Sequence, residues 1–360
     1  MSDDDFELIT TTGLGYVEKP TEDASTRVVR EVELMRMPLA PNEVQVEVTH
    51  CGLCASDAHM LADDWGQSFY PLVAGHEAVG VIRKRGSEVN DLQVGDRVGV
   101  GFNAGSCGSC GQCARGHEQL CADVQSVVGM GGCFSGLVHV SRRFVYRLPE
   151  ALESSAAAPL MCAGLTAFTP LRAHCRAGER VGVVGVGGVG HLVVMMARAF
   201  GCHVTAFTRH ESKRDDLSKL GAHRVVATDA EFEALRNDTA ASLDALLVCS
   251  SAAVDYDRYL STLRAGGRMI LVGMPSAEKL TISLLPFMQR QLQLHSTVMG
   301  GCVDCREMLD FCALHNIRPL VQELPFTAAG LEEALATMHA GKARYRIVLV
   351  RNDTPVVEGE

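Results

Sequence analysis

Positive charge is scarce in this chain. Its 33 Lys and Arg face 43 Asp and Glu, giving a formal net charge of -10. That balance argues against nucleic acid or an anionic membrane as the main partner. A long unbroken apolar run is also missing. The most apolar stretch, from Val181 to Phe200, is broken by five glycines and carries His191 and Arg198. It reads as a strand, a glycine turn and a helix, not as a membrane span. The opening MSDDDFELITT is acidic and has no apolar segment of the secretory type, so a cytoplasmic protein with reduced thiols is expected. Internal repeats and low-complexity tracts are absent, and roughly the last eight residues are expected to be disordered. At 360 residues, 47% apolar and 21% charged, the chain is long enough for two domains with full cores.

Cysteine, by contrast, is abundant at fourteen residues. Cys107, Cys110, Cys113 and Cys121 follow a Cys-x2-Cys-x2-Cys-x7-Cys spacing, which suits a closed tetrahedral zinc site that holds structure and does no chemistry. An iron–sulfur cluster also uses four cysteines, but nothing else in the chain suggests electron transfer. A looser set combines Cys54, from THCGLCASDAHM, His76, from VAGHEAVG, and Cys162, from APLMCAGLT. Two Cys and one His from distant segments, with a fourth position left open, is how a catalytic zinc is held. Singly, a buried Cys is usually a small hydrophobe. The coexistence of these residues with the four-cysteine stretch favours a metal. Two zinc ions per chain are therefore expected.

Residues from about 10 to 150 carry β-branched runs such as EVQVEVTH, AVGVIRKRG and DRVGVGF, the pattern of short antiparallel strands. The four-cysteine lobe at 103–121 interrupts them. AAAPLMCAGLTAFTPLRAH reads as helical. From Glu179 strands and helices alternate, which implies a parallel sheet with right-handed crossovers. Within that region HRVVAT, LDALLVCS and RMILVGM are expected strands, and YDRYLSTLRAGG an expected helix. CREMLDFCALHN, AAGLEEALATMHAG and YRIVLV should form two helices and a strand that return to the first domain. The expected division is 1–157 with 300–360 as one domain and 158–299 as the other.

Gly185, Gly187, Gly188 and Gly190 form a GxGxxG run between an apolar strand and a helix, the context of a dinucleotide site. Gly185 makes the tight turn, Gly187 lets the backbone approach a pyrophosphate at the helix N-terminus, and Gly190 allows close helix–strand packing. An NAD site normally has an acid at the end of the second strand. That acid is missing: the end reads Ala206-Phe207-Thr208-Arg209-His210. Thr208, Arg209 and Lys213 offer a hydroxyl, a planar fork and a point charge to a phosphate, which favours NADP(H). Glu211 is expected to lie too late for a ribose contact.

Together these residues resemble the zinc-dependent medium-chain alcohol dehydrogenases. The finer stretches APLMCAGLTAFTPL, LVGMP and GGCVDCREMLDFCALHNIRP are similar to the cinnamyl-alcohol-dehydrogenase-like branch. The resemblance implies an α/β protein: a GroES-like β-rich catalytic domain joined to a Rossmann doubly wound parallel-sheet domain, with a cleft between them. It implies that Cys54, His76 and Cys162 hold the catalytic zinc, with Glu77 behind it as an occasional alternative ligand and Asp57 fixing His76. Ser56 would pass the substrate proton, with His59 further along the relay, and Thr166 would border the nicotinamide. Trp65 would line the substrate pocket, and Cys51 would be a packed thiol. The implied activity is hydride transfer between NADP(H) and a primary alcohol or aldehyde, mainly as an aldehyde reductase. An NAD(P)-dependent polyol dehydrogenase is one alternative, against which Cys162 argues because that class commonly has Glu there. A catalytically silent nucleotide-binding relative is another, but no zinc ligand is lost. A homodimer is expected, with the Arg268-to-Gly273 strand at its edge.

Overall fold

The β-branched runs of the first part become strands in this computed structural model, which describes residues 8–21, 26–228, 230–237, 242–274 and 279–351. Strands β1 (Ile9–Tyr16), β2 (Arg30–Arg36) and β3 (Glu43–Leu53) lead into helix α1 (Ala55–Ala62). Then come β4 (Leu72–Val73), β5 (Ala78–Arg85) and β6 (Arg97–Val100). The four cysteines lie between β7 (Asn103–Gly105) and β8 (Gln125–Ser126), around the single-turn helix α2 (Gly111–Ala114). β9 (Leu137–Ser141), β10 (Val145–Arg147) and α3 (Ser154–Ala157) follow. The alternating region runs α4 (Ala163–His174), β11 (Arg180–Val184), α5 (Gly190–Ala199), β12 (His203–Thr208), α6 (Arg214–Lys219) and β13 (Arg224–Ala227). It continues with α7 (Phe232–Asn237), β14 (Leu243–Val248), α8 (Tyr256–Leu260), β15 (Leu263–Leu271), α9 (Leu284–Gln289) and β16 (Gln293–Ser296). The tail holds α10 (Cys302–Leu314), β17 (Val321–Pro325), α11 (Ala328–His339) and β18 (Arg346–Val350).

The chain divides into two compact units. One comprises residues 1–162, 301–313 and 318–360, so it runs past the expected boundary at 157 to Cys162; the other comprises 163–300 and 314–317. In the first unit β3 is the hub. It pairs antiparallel with β5, with β9, and, at Leu53↔Ile347, with β18 from the far end of the chain. The tail therefore closes onto β3. Alternation of Val44, Val46 and Val48 with polar residues gives β3 a fully buried face. β1, β2 and β4 form a separate small sheet.

The second unit is a six-stranded parallel sheet in the order β13-β12-β11-β14-β15-β16. This is the doubly wound order, and it reverses between β11 and β14, the place where such sheets bind ligands. Its inner strands are largely apolar: Val184, Phe207, Leu246, Val248 and Met269 are all buried in one core.

Three expectations are corrected. The helix expected over YDRYLSTLRAGG ends at Leu260, because Leu263 to Leu271 is one strand whose register against β14 shifts between Leu243 and Ala245. The strand expected at a sheet edge is internal: β15 lies between β14 and β16, and β16 is the outer strand. The Ala-rich helix is broken at Cys162, where the backbone leaves helical geometry at φ -127, ψ -67 between a 3-10 turn (Ala158–Met161) and α4. The tail 353–360, together with residues 1–7 and Pro275 of LVGMP, lies outside the described residues.

Candidate metal centres and nucleotide site

Cys54 ends the β3 run and N-caps α1. His76 and Glu77 precede β5, the antiparallel neighbour of β3, so strand pairing brings them beside Cys54. Cys162 arrives through the break in the Ala-rich segment. Gly99 and Gly101 of the DRVGVG run make room for that break: a Cβ at Gly99 would meet Met161 Sδ at 2.2 Å, and one at Gly101 would meet the Met161 carbonyl at 2.8 Å. The ligand atoms of Cys54, His76, Glu77 and Cys162 all lie within 4.8 Å of one another, and all four residues are buried.

Asp57 organises this cluster. It is fully buried, and its Oδ2 accepts the Cys54 N–H at 2.9 Å. Its Oδ1 accepts the Gly75 N–H at 2.9 Å and lies 2.7 Å from His76 Nδ1. A carboxylate can only accept, so Nδ1 carries the proton and Nε2 is left as the metal-facing lone pair. The Cys54 thiol is held well below the usual thiol range by its hydrogen bond with Cys162, whose own thiol is pushed well up by the same contact and by burial. Burial opposes a charged His76, yet Asp57 raises it well above the usual imidazole value. A buried polar cluster with one labile thiolate and an oriented imidazole fits a divalent cation that accepts soft sulfur and nitrogen donors.

Glu77 sits behind, fully buried, with Gly52 cleared to admit it: a Cβ there would meet Glu77 Oε2 at 2.2 Å. Burial pushes its carboxyl up to about 7, against the pull of Arg346. Arg346 donates from Nη2 to Oε1 at 2.6 Å and Oε2 at 2.5 Å. Burial works against the Arg346 charge, but Glu77 and the two thiols raise it above the usual arginine value. Sequence reasoning missed Arg346. The signal available was a charge opening the otherwise apolar strand RIVLV, all of whose first four residues are buried.

Ser56 and His59 share one face of α1, three residues apart. Both are partly exposed. His59 Nδ1 lies 2.6 Å from Asp64 Oδ2, and its ring is 5.4 Å from that of Trp65 at 33°. Asp64 is a second residue the sequence reading passed over, because it falls in the turn after the helix. Trp65 is 42% exposed. Cys51 is fully buried, and burial drives its thiol well up, as suits a packed cysteine.

The ligand atoms of Cys107, Cys110, Cys113 and Cys121 also lie within 4.8 Å of one another. Gly108, at φ +72, lets the chain turn between the first two. Backbone amides turn inward: the Cys110 N–H lies 3.4 Å from Cys107 Sγ. Contacts from Ser109 and Cys110 lower the Cys107 thiol to about 6. Four thiols so gathered supply a complete tetrahedral set of ligands and fit a structural zinc site. All fourteen cysteines are free of disulfides.

In the parallel-sheet unit the glycine run sits at the switch point. Gly185 has φ +83, and a Cβ there would meet Ser250 N at 2.6 Å. A Cβ at Gly190 would meet the Gly185 carbonyl at 2.2 Å. Gly187 is different: a Cβ there would meet nothing within 4 Å, so the space above it is open. Gly188 is half-buried beside it. These surroundings fit a pyrophosphate cradle. Thr208 ends β12, but its hydroxyl is engaged locally, donating to the His210 carbonyl at 3.2 Å and accepting the His210 N–H at 3.1 Å. Arg209 and Lys213 are exposed, and neither has an ion-pair partner among the described residues. Glu211 is neutralised by Arg214, whose Nη2 reaches Oε2 at 2.9 Å. Thr166 is half-buried on α4.

Residues 40–150 match the family model described as alcohol dehydrogenase GroES-like domain, and residues 188–313 match that of zinc-binding dehydrogenase. The chain is 38% identical over 314 residues to an aldehyde reductase from Synechocystis sp., covering 86% of this chain and 92% of that protein. It is 36% identical over 340 residues to NADP-dependent alcohol dehydrogenase C 1 from Mycolicibacterium smegmatis, covering 91% and 95%. Among solved structures it is similar to a cinnamyl alcohol dehydrogenase from Sorghum bicolor, with TM-score 0.87, 31% identity and 95% and 98% coverage. It is also similar to that of CAD from Helicobacter pylori complexed with NADP(H), with TM-score 0.86, 26% identity and 97% and 100% coverage.

Proposed function

The chain belongs to the zinc-binding alcohol dehydrogenases, and from that premise we propose that it reduces aldehydes to primary alcohols with NADPH. The observation that carries this is the convergence of Cys54, His76 and Cys162 around one point, oriented by Asp57. When bound, zinc supplies positive charge at the substrate oxygen and the nicotinamide supplies or accepts hydride. The protein does the rest. Asp57 keeps His76 in the tautomer that ligates. Glu77 is an alternative ligand whose charge Arg346 balances, so two thiolates and a neutral imidazole leave a zinc-loaded site near neutrality. Ser56 hands a proton between the substrate oxygen and His59, and Asp64 orients the His59 ring. Trp65 offers an apolar wall to the substrate and Thr166 a border to the nicotinamide.

The first unit is the catalytic domain and the second the NADP-binding domain. Arg209 and Lys213, exposed and without an ion-pair partner among the described residues, support NADPH over NADH. The four-cysteine lobe holds a second, structural zinc. The free thiols support a reducing, cytoplasmic setting, and no described helix is long and apolar enough to cross a membrane. A homodimer formed along β16 is supported by its outer position and by exposed Leu284, Leu285, Met288 and Leu294 beside it. The deciding experiment is a screen of NADPH oxidation against aromatic, terpenoid and short aliphatic aldehydes. Turnover with at least one class is expected; none with any of them would refute the proposal.

A further inference from the structure

Two adjacent glycines create a difficulty at the phosphate cradle. Without Cβ atoms, the peptide between Gly187 and Gly188 has little to stop it rotating. Turned one way, it presents an N–H to an anion. Turned the other, it presents a carbonyl and repels it. A Cβ at Gly187 would meet nothing within 4 Å, so no side chain packed at that position restrains the turn.

His191 does decide. It is the second residue of α5 and is fully buried. Its backbone N–H donates to the Gly187 carbonyl at 3.0 Å, and its ring Nδ1 lies 3.2 Å from the same oxygen. A carbonyl only accepts, so Nδ1 carries a proton. Two donors from one residue thus hold the carbonyl toward the helix body. The peptide is trans and planar, so the Gly188 N–H must point the opposite way, out past the N-terminal end of α5.

We propose that His191 is a positioning residue for the pyrophosphate: its Nδ1–H fixes the Gly187–Gly188 peptide with the N–H turned toward the anion. This rests on the glycine run being a dinucleotide site, and deepens that reading by naming what holds the cradle open for charge.

The test is calorimetric titration of the zinc-loaded full chain with ADP-ribose, which contains the pyrophosphate, and with adenosine, which does not. His191→Leu keeps the bulk and removes the donor. His191→Asn places an amide nitrogen near the position of Nδ1. His191→Leu should bind ADP-ribose about 3- to 10-fold more weakly, the usual size of one lost hydrogen bond, and adenosine as wild type does. His191→Asn should recover most of the loss. Melting temperatures measured alongside report whether each variant remains folded; should His191→Leu fail to fold, His191→Phe replaces it, with the same expectation. Unchanged ADP-ribose binding by the donorless variant, equal weakening with both probes, or an Asn variant no better than it would overturn the assignment. Failure of the wild type to bind ADP-ribose would overturn the nucleotide reading itself, and the assignment with it.

Discussion

Arg346 reaches both carboxylate oxygens of Glu77, at 2.6 and 2.5 Å, across a sequence separation of 269 residues. Both residues are buried: Arg346 is 5% exposed and Glu77 0%. Removing one partner of such a buried pair strands the other charge and typically costs about 3–5 kcal/mol. Arg346→Met should therefore lower stability by that amount in urea unfolding. The double variant Arg346→Met with Glu77→Gln should recover a large part, since no charge is then left unpaired. A double variant no more stable than Arg346→Met would show that the pair is not the origin of the loss.

The relay should be graded along α1. Ser56→Ala should lower kcat about 10²- to 10⁴-fold, the usual worth of a positioned proton-transfer group, with little change in NADPH binding. His59→Gln lies further out, where water can substitute, and should cost about 10-fold. Asp64→Asn should cost less still, since it only orients the ring. Steady-state kinetics of the three variants test the order, which would be reversed if His59 proved costlier than Ser56.

Cofactor choice should depend on Arg209. A charge-assisted contact to the 2′-phosphate is worth about 1.5–3 kcal/mol, so Arg209→Ala should raise the KM for NADPH about 10- to 150-fold and leave that for NADH nearly unchanged. Thr208→Asp should go further and favour NADH, because its carboxylate would repel the 2′-phosphate while still accepting the His210 N–H that Thr208 now holds. Lys213 should matter less, being flexible and screened. Equal losses with both cofactors in Arg209→Ala would reduce Arg209 to a surface residue.

Glu118, buried within the four-cysteine lobe, gives a pH-dependent test. Burial would raise its carboxyl, but Arg143, at 2.5 Å, and the Cys302 N–H, at 3.1 Å, bring it below the ordinary glutamate value. A carboxyl depressed in the folded state binds fewer protons there than when unfolded. Its stabilisation is therefore present above the unfolded value and is lost as pH falls through the folded one. Arg143 is 42% exposed, so solvent discounts the pair to about 1–2 kcal/mol. Glu118→Gln should be less stable than wild type by that amount at pH 7, and the gap should shrink as the medium is acidified below about pH 4.5. A gap independent of pH would contradict the assignment.

Much of this was legible in the chain because ligand chemistry limits residue choice. The four-cysteine spacing, Gly-His-Glu, and glycines between a strand and a helix each restrict the fold locally. What the sequence hid depends on register and on tertiary neighbours. Arg346 meets Glu77 only because β18 pairs with β3, a contact no local pattern announces. β16, reading QLHS, lacks an apolar run, so no strand is expected there from the residues and RMILVGM reads as the last strand. The break at Cys162 reads as continuous helix because alanine and leucine suit a helix well, and the glycines that permit the break, Gly99 and Gly101, lie far upstream in and just after β6.

We propose that Cys54, His76 and Cys162 hold an exchangeable zinc on which turnover depends, while the cysteine lobe holds another. The most direct test is zinc content measured together with NADPH-dependent aldehyde reduction, in wild type and in Cys162→Ser. Wild type should carry two zinc ions per chain. A chelator should remove one first and abolish turnover, and added zinc should restore it. Cys162→Ser should stay folded with the lobe's zinc and show no turnover, whereas Cys107→Ser should be destabilised or aggregate. Active wild-type protein with one zinc or none, or a turning-over Cys162→Ser, would contradict the account.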